Sequence, residues 1–175
     1  MTQIEATVAV PEEAGPKPDA SDVTGQDRIE LLTFRCGGRG FAVNIMDVRE
    51  IRSWSEPTPL PHAPPFMKGM VNLRGSVLPV MDLAQRLGQP PTQDDPRNVI
   101  IVIQNGNRVH GLLVDAVSDI VHPTDDQLQD VPRVNAEDGA GMADRLFVVD
   151  DKMIQILSTS RILPEVSRPF SEAIA

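Results

Sequence analysis

The chain has 175 residues and a net charge of −9, with 41% hydrophobic, 23% charged and 3% aromatic residues and no tyrosine. That length bounds one domain of about 150 residues plus a tail, and an acidic chain without a basic stripe lacks the electrostatic footprint of a nucleic-acid binder. A lone cysteine, Cys36, excludes a disulfide framework and a thiolate metal cluster, and 16 prolines favour strands and turns over helices.

Residues 1–27 carry −5 of the net charge, from Glu5, Glu12, Glu13, Asp19, Asp22 and Asp27 against Lys17. With Val8-Ala9-Val10 as its main apolar run, this stretch buries too little surface to offset its ordering entropy, and it is predicted to be a disordered acidic leader. The start lacks the charged and apolar regions of a secretion signal, and no apolar run approaches the roughly 18 residues that span a bilayer. The expectation is a soluble cytoplasmic protein without direct membrane contact, held near membranes only through partners.

From Arg28 the pattern becomes strand-like. Residues 29–35 and 39–44 flank Cys36-Gly37-Gly38, a hairpin connection, and a strand over 48–53 precedes a proline-rich crossing over 56–65. The stretch from Gly69 to Asp82 reads as strand, tight turn and strand. Asn72 and Gly75 sit where a type I turn with a left-handed closing residue wants them, which puts Arg74 at the exposed tip. Asp82 is the expected cap of a short helix over 83–87, stopped by Gly88, and 89–96 reads as a linker.

The second half repeats the first. A shift of about 69 residues lays Leu32, Val43, Val48 and Ile51 on Ile101, Leu112, Val117 and Ile120. A shift of about 76 lays Met70, Val77 and Asp82 on Leu146, Met153 and Ser158, so the helix cap keeps its chemistry. A hairpin-rich unit of about 60 residues is near the lower limit for an independent core. The predicted fold is therefore all-β: two pseudo-twofold-related five-stranded barrels of the SH3/OB kind, sharing a core, with short helices, from repeats at about 28–88 and 98–164.

No catalytic set emerges. His62, His110 and His122 lack partners at metal or triad spacing, and the serines lack a nucleophile elbow. The pairs Asp94-Asp95, Asp125-Asp126 and Asp150-Asp151 are chain neighbours that point apart in turns. Gly37-Gly38-Arg39-Gly40 is followed by neither a phosphate-loop lysine nor a helix. The chain reads as a non-enzyme without metal or cofactor. Val48-Arg49-Glu50-Ile51 alternates apolar and charged residues, so Val48 and Ile51 are either plain core or a face for a partner; Val117 to Ile120 carries the same choice. Trp54 is either an aromatic anchor or core.

The run Lys68-Gly69-Met70-Val71-Asn72-Leu73-Arg74-Gly75, followed by Pro79-Val80-Met81-Asp82-Leu83, closely resembles the central motif of the CheW-like domain, the adaptor module of bacterial chemotaxis arrays. The resemblance covers about 28–165, leaving 166–175 as a flexible tail, and it implies the same paired barrels. It also implies a non-enzymatic scaffold that couples the cytoplasmic hairpin tip of chemoreceptors to the regulatory domain of the histidine kinase CheA, within membrane receptor arrays. Carried over position by position, receptor contact falls on Arg74, Gly69, Val48, Val117 and Ile120, and kinase contact on Glu50, Ile51 and Val99.

Two other readings compete. A detached CheW-like module of a receiver-fused adaptor or kinase would carry a receiver's acidic pocket and lysine or a kinase's nucleotide boxes, and the start at Met1 with an end at Ala175 favours a stand-alone scaffold. An OB-like nucleic-acid binder would need a basic face with stacking aromatics, against five Phe and one Trp here.

Overall fold

Glycines set the first turn. Gly37 and Gly38 both take positive φ, 59° and 77°, and fold β1 (Leu31–Cys36) back on β2 (Arg39–Asn44). The chain is described by a computed structural model over residues 28–131 and 140–165; the expected leader over 1–27 and tail over 166–175 lie outside the described residues. Next come β3 (Val48–Ser53), β4 (Met67–Leu73), β5 (Ser76–Asp82) and the short helix α1 (Leu83–Arg86). The second series is β6 (Val99–Asn105), β7 (Arg108–Val114), β8 (Ala116–Val121), β9 (Gln129–Asp130), β10 (Ala143–Val149), β11 (Lys152–Leu157) and α2 (Thr159–Ile162).

The strands form two sheets, ordered β3-β6-β7-β5-β4 and β8-β1-β2-β11-β10-β9. Each mixes the two sequence repeats. In the first, β6-β7 of the second repeat lie between β3 and β5-β4 of the first, joined by a parallel β5–β7 pairing at Val80–Gly111. The other sheet mirrors this through a parallel β2–β11 pairing at Ala42–Ile156.

Each sheet curls until its ends meet. Beyond β3, Thr58 exchanges both backbone hydrogen bonds with Met70 of β4, at 2.8 Å each. The corresponding closure in the other sheet is β9, where Gln129 pairs with Leu146 of β10. Gly69 is required for the first closure, because a Cβ on it would lie 2.1 Å from the Thr58 carbonyl oxygen.

Alternation along the strands sends side chains into three apolar clusters. Val71, Leu78, Val80, Ile100, Val102 and Leu113 fill the first barrel; Leu31, Ala42 and Phe147 fill the second with Ile154 and Ile156 packed against them. Between the barrels lies the shared core, with Leu32, Phe34 and Val43 facing their repeat equivalents Ile101, Ile103 and Leu112. The architecture is two small β-barrels around one common core, with only short helices among the described residues.

The connection between the repeats is pinned. Asp82 is fully buried, and its carboxylate accepts from the Ala84 N–H (3.1 Å), the Thr92 N–H (2.7 Å) and the Thr92 hydroxyl (2.7 Å). One side chain thus caps α1 and ties down the linker.

Candidate functional site: an edge-strand cleft and its repeat counterpart

The β4–β5 turn is tighter than the type I form expected from its sequence. Leu73 pairs directly with Ser76, leaving a two-residue turn in which Arg74 and Gly75 have φ of 51° and 85°. Positive φ at both central residues matches the twist of the hairpin. Asn72 supports it by accepting the Gly75 N–H at 2.9 Å. The equivalent β10–β11 turn has the same form, with Asp150 and Asp151 at φ of 50° and 61°.

Arg74 is 79% exposed and reaches across the open edge of the sheet to β3, where its Nη2 lies 3.6 Å from Glu50 Oε2. The other oxygen of Glu50 accepts from Arg52 Nη1 at 3.2 Å. With Ile51, Ser53, Trp54 and Ser55, these residues line a shallow cleft of about 480 Å³ along the edge strand. Arg74 and the Glu50-Ile51 step, assigned to different partners by position, therefore border the same cleft.

A β-bulge explains the spacing on β3. Val48 pairs with Ile103 and Glu50 with Val102, so Arg49 is the extra residue. The bulge brings Val48 and Ile51 to one face, towards the shared core, while Glu50 and Arg52 lie opposite Val102 and Ile100 on the barrel-interior face. The same irregularity recurs at Ser118 on β8, where Val117 pairs with Phe34 and Ile120 with Leu32.

Burial divides the remaining candidates. Val48, Val117 and Val99 pack against the shared core, and Gly69 is buried under the Thr58 crossing. Ile51 and Ile120 are each 47% exposed at the edges of opposite sheets. Val77 and Met153, related by the second repeat shift, are also exposed, at 65% and 57%. Arg52, Val77 and Met153 carried no assignment from the sequence; the repeat already aligned Val77 with Met153, but not which face they occupy.

The titratable groups elsewhere are dispersed. His62 lies in a turn at φ 60°, His122 Nε2 is 3.5 Å from Glu30, and the His110 pKa is lowered by burial and then by Arg108. Burial, reinforced by Asp115 and Asp82, pushes the Cys36 thiol up to about 12. Among the described residues, no helix is long and apolar enough to cross a membrane.

The family model of the CheW-like domain matches residues 30–167. A protein named "Probable chemotaxis protein CheW" from Rhizobium etli is 46% identical over 136 residues, covering 78% of this chain and 88% of its own. The chemotaxis protein CheW of Rhizobium meliloti is 43% identical over 139 residues, covering 79% of this chain and 90% of its own. The crystal structure of the scaffolding protein TtCheW from Thermoanaerobacter tengcongensis superposes with a TM-score of 0.68 at 28% identity, over 75% of this chain and 89% of that one. The motif around Arg74, the paired barrels and these matches agree: the chain belongs to the CheW-like domain family.

Proposed function

We propose that the protein is a non-enzymatic cytoplasmic adaptor that couples the hairpin tip of chemoreceptors to the regulatory domain of the histidine kinase CheA. The observation that carries this reading is the recurrence of exposed apolar residues at matching places in both repeats, Ile51 with Ile120 and Val77 with Met153. Scattered exposed apolar side chains need no explanation, but paired ones at edge strands and hairpins mark surfaces built for partners. Two related faces suit a protein that holds two partners at once. Kinase contact is assigned to Ile51 and Glu50, and receptor contact to Ile120 and Arg74. Val48, Val117, Val99 and Gly69 act from beneath, by shaping those faces.

The test substitutes the exposed residues, whose loss leaves the core intact. Ile51→Asp is expected to weaken binding of the CheA regulatory domain at least tenfold, and Ile120→Asp that of a receptor-tip fragment, each by burying an unpaired charge. Melting temperatures should stay within a few degrees of the parent. Equal loss of both partners in both variants would defeat the two-face assignment.

A further inference from the structure

The second barrel is open at one end where the first is filled. Its mouth, between β8 and the β10–β11 turn, encloses about 730 Å³. The side chains that alternation sends inward explain the difference. In the first barrel Val102, Val109 and Leu73 pack over that end of the interior. Their repeat counterparts are the smaller Thr33, Gly40 and Val149, all of which line the mouth. Gly40 lies in register between Arg35 of β1 and Ile154 of β11. A Cβ on it would come 3.3 Å from Ile154 Cγ1, so the missing side chain leaves open space beside an apolar wall. Val121, Val149 and Ile154 supply that wall. The Thr33 hydroxyl is already engaged, donating to the Asp119 carbonyl at 3.0 Å and accepting the Asp119 N–H at 3.1 Å.

The rim is charged. Arg35, Arg39 and Lys152 line it, all exposed, and among the described residues none of them is in an ion pair. Two acids share the rim, Asp119 and Asp150, and the Asp119 carboxylate accepts its neighbour's N–H, from Ile120, at 2.8 Å. The cations thus outnumber the acids on a chain whose net charge is −9. Arg35 and Lys152 alternate onto the same face as Thr33 and Ile154, so they flank the space that Gly40 leaves. The first barrel offers neither feature. Gln104 and Ser76 stand at the positions of Arg35 and Lys152, and the nearby Arg52 and Arg74 share the carboxylate of Glu50.

We propose that the mouth of the second barrel binds a free single-chain amphiphilic carboxylate, with its alkyl tail against the Val121–Val149–Ile154 wall and its head group on Arg35 and Lys152. A wall without charge would take any hydrocarbon, and cations without a wall any anion; the combination selects a molecule with both parts. The guanidinium presents paired donors that match a carboxylate, and the enclosed volume lies within the range of small-molecule sites.

Octanoate is the probe, titrated into the whole ¹⁵N-labelled protein. The amides of Gly40 and Ile154 are expected to shift with a Kd on the order of 0.1–1 mM. Their counterparts in the first barrel, Val109 and Leu78, should stay in place. Octanol, which keeps the tail and loses the charge, should bind about tenfold more weakly. Arg35→Gln installs the first barrel's residue at an exposed position and should weaken octanoate binding about tenfold, with the melting temperature held. Gly40→Val fills the mouth in the same way and should abolish the shifts; where that variant fails to fold, Arg35→Gln decides. Absence of shifts at about ten times the expected Kd overturns the site. So does octanol binding as tightly as octanoate, or an Arg35→Gln variant binding within twofold of the parent. None of these results touches the adaptor reading, which does not use this mouth.

Discussion

At Gly69 and Gly75 the same residue type meets different demands. Gly69 combines φ of 147° with the Thr58 carbonyl where a Cβ would be, whereas nothing lies within 4 Å of the corresponding position on Gly75. Gly69→Ala is expected to cost about 3 kcal/mol or more, and Gly75→Ala about 1 kcal/mol from backbone conformation alone. Denaturant titration of the two variants checks the order. Cys36 gives a second test at this scale. With its pKa near 12, the folded thiol is protonated through the neutral range, and the thiolate needed for alkylation appears only as pH rises toward that value. Labelling by iodoacetamide at pH 8 should be negligible in the native protein and fast in denaturant. The Asn72–Gly75 motif announced a turn, but not that Arg74 itself takes positive φ. That follows from the direct pairing of Leu73 with Ser76, which fixes a two-residue loop.

Single elements were legible where local chemistry decides them. The β3 limits match the strand expected over 48–53, the cap at Asp82 is a side chain acting on its own backbone, and the stop at Gly88 is a residue free to take positive φ. The β3 bulge was not legible, because it exists only in the register with β6; the unpaired sequence leaves open whether Val48 and Ile51 share a face. The cleft was half legible for the same reason. Arg74 and Glu50 could each be singled out, but their approach depends on the curl of a sheet that contains strands from both repeats. The linker invites a test at this scale. Asp82→Ala strands the Ala84 and Thr92 donors, and is expected to destabilise the fold by about 3 kcal/mol. Amide exchange should then rise first at Thr92 and at the start of α1. Thr92→Val removes one of the three bonds and should cost less.

At the scale of the molecule, repetition in sequence predicted symmetry, and the shifts of 69 and 76 align β1-β2-β3 with β6-β7-β8 and β4-β5-α1 with β10-β11-α2. What repetition leaves open is which strands pair, since equivalent strands present equivalent edges. The structure resolves this by exchange: each barrel joins strands from both repeats. Neither repeat alone holds a complete barrel. Separately produced fragments 28–92 and 93–165 are expected to be unfolded alone by circular dichroism and to gain β-structure when mixed. A cooperative melt of either fragment alone would show that a repeat can stand by itself.

The parallel pairing of β2 with β11 also sets a timetable for synthesis. Gly40, Phe41 and Ala42 leave the ribosome long before Ile154, Gln155 and Ile156, their partners in the finished sheet. At about 5–20 residues per second the interval is roughly 6–23 s. During it the inner edge of β2, rich in apolar residues, has no native neighbour on that side. The nascent chain therefore depends on chaperone cover, or on transient pairing within its own first half, until almost the whole domain has been translated. Slowing elongation between Arg108 and Lys152 would lengthen that exposure and raise aggregation without changing a residue.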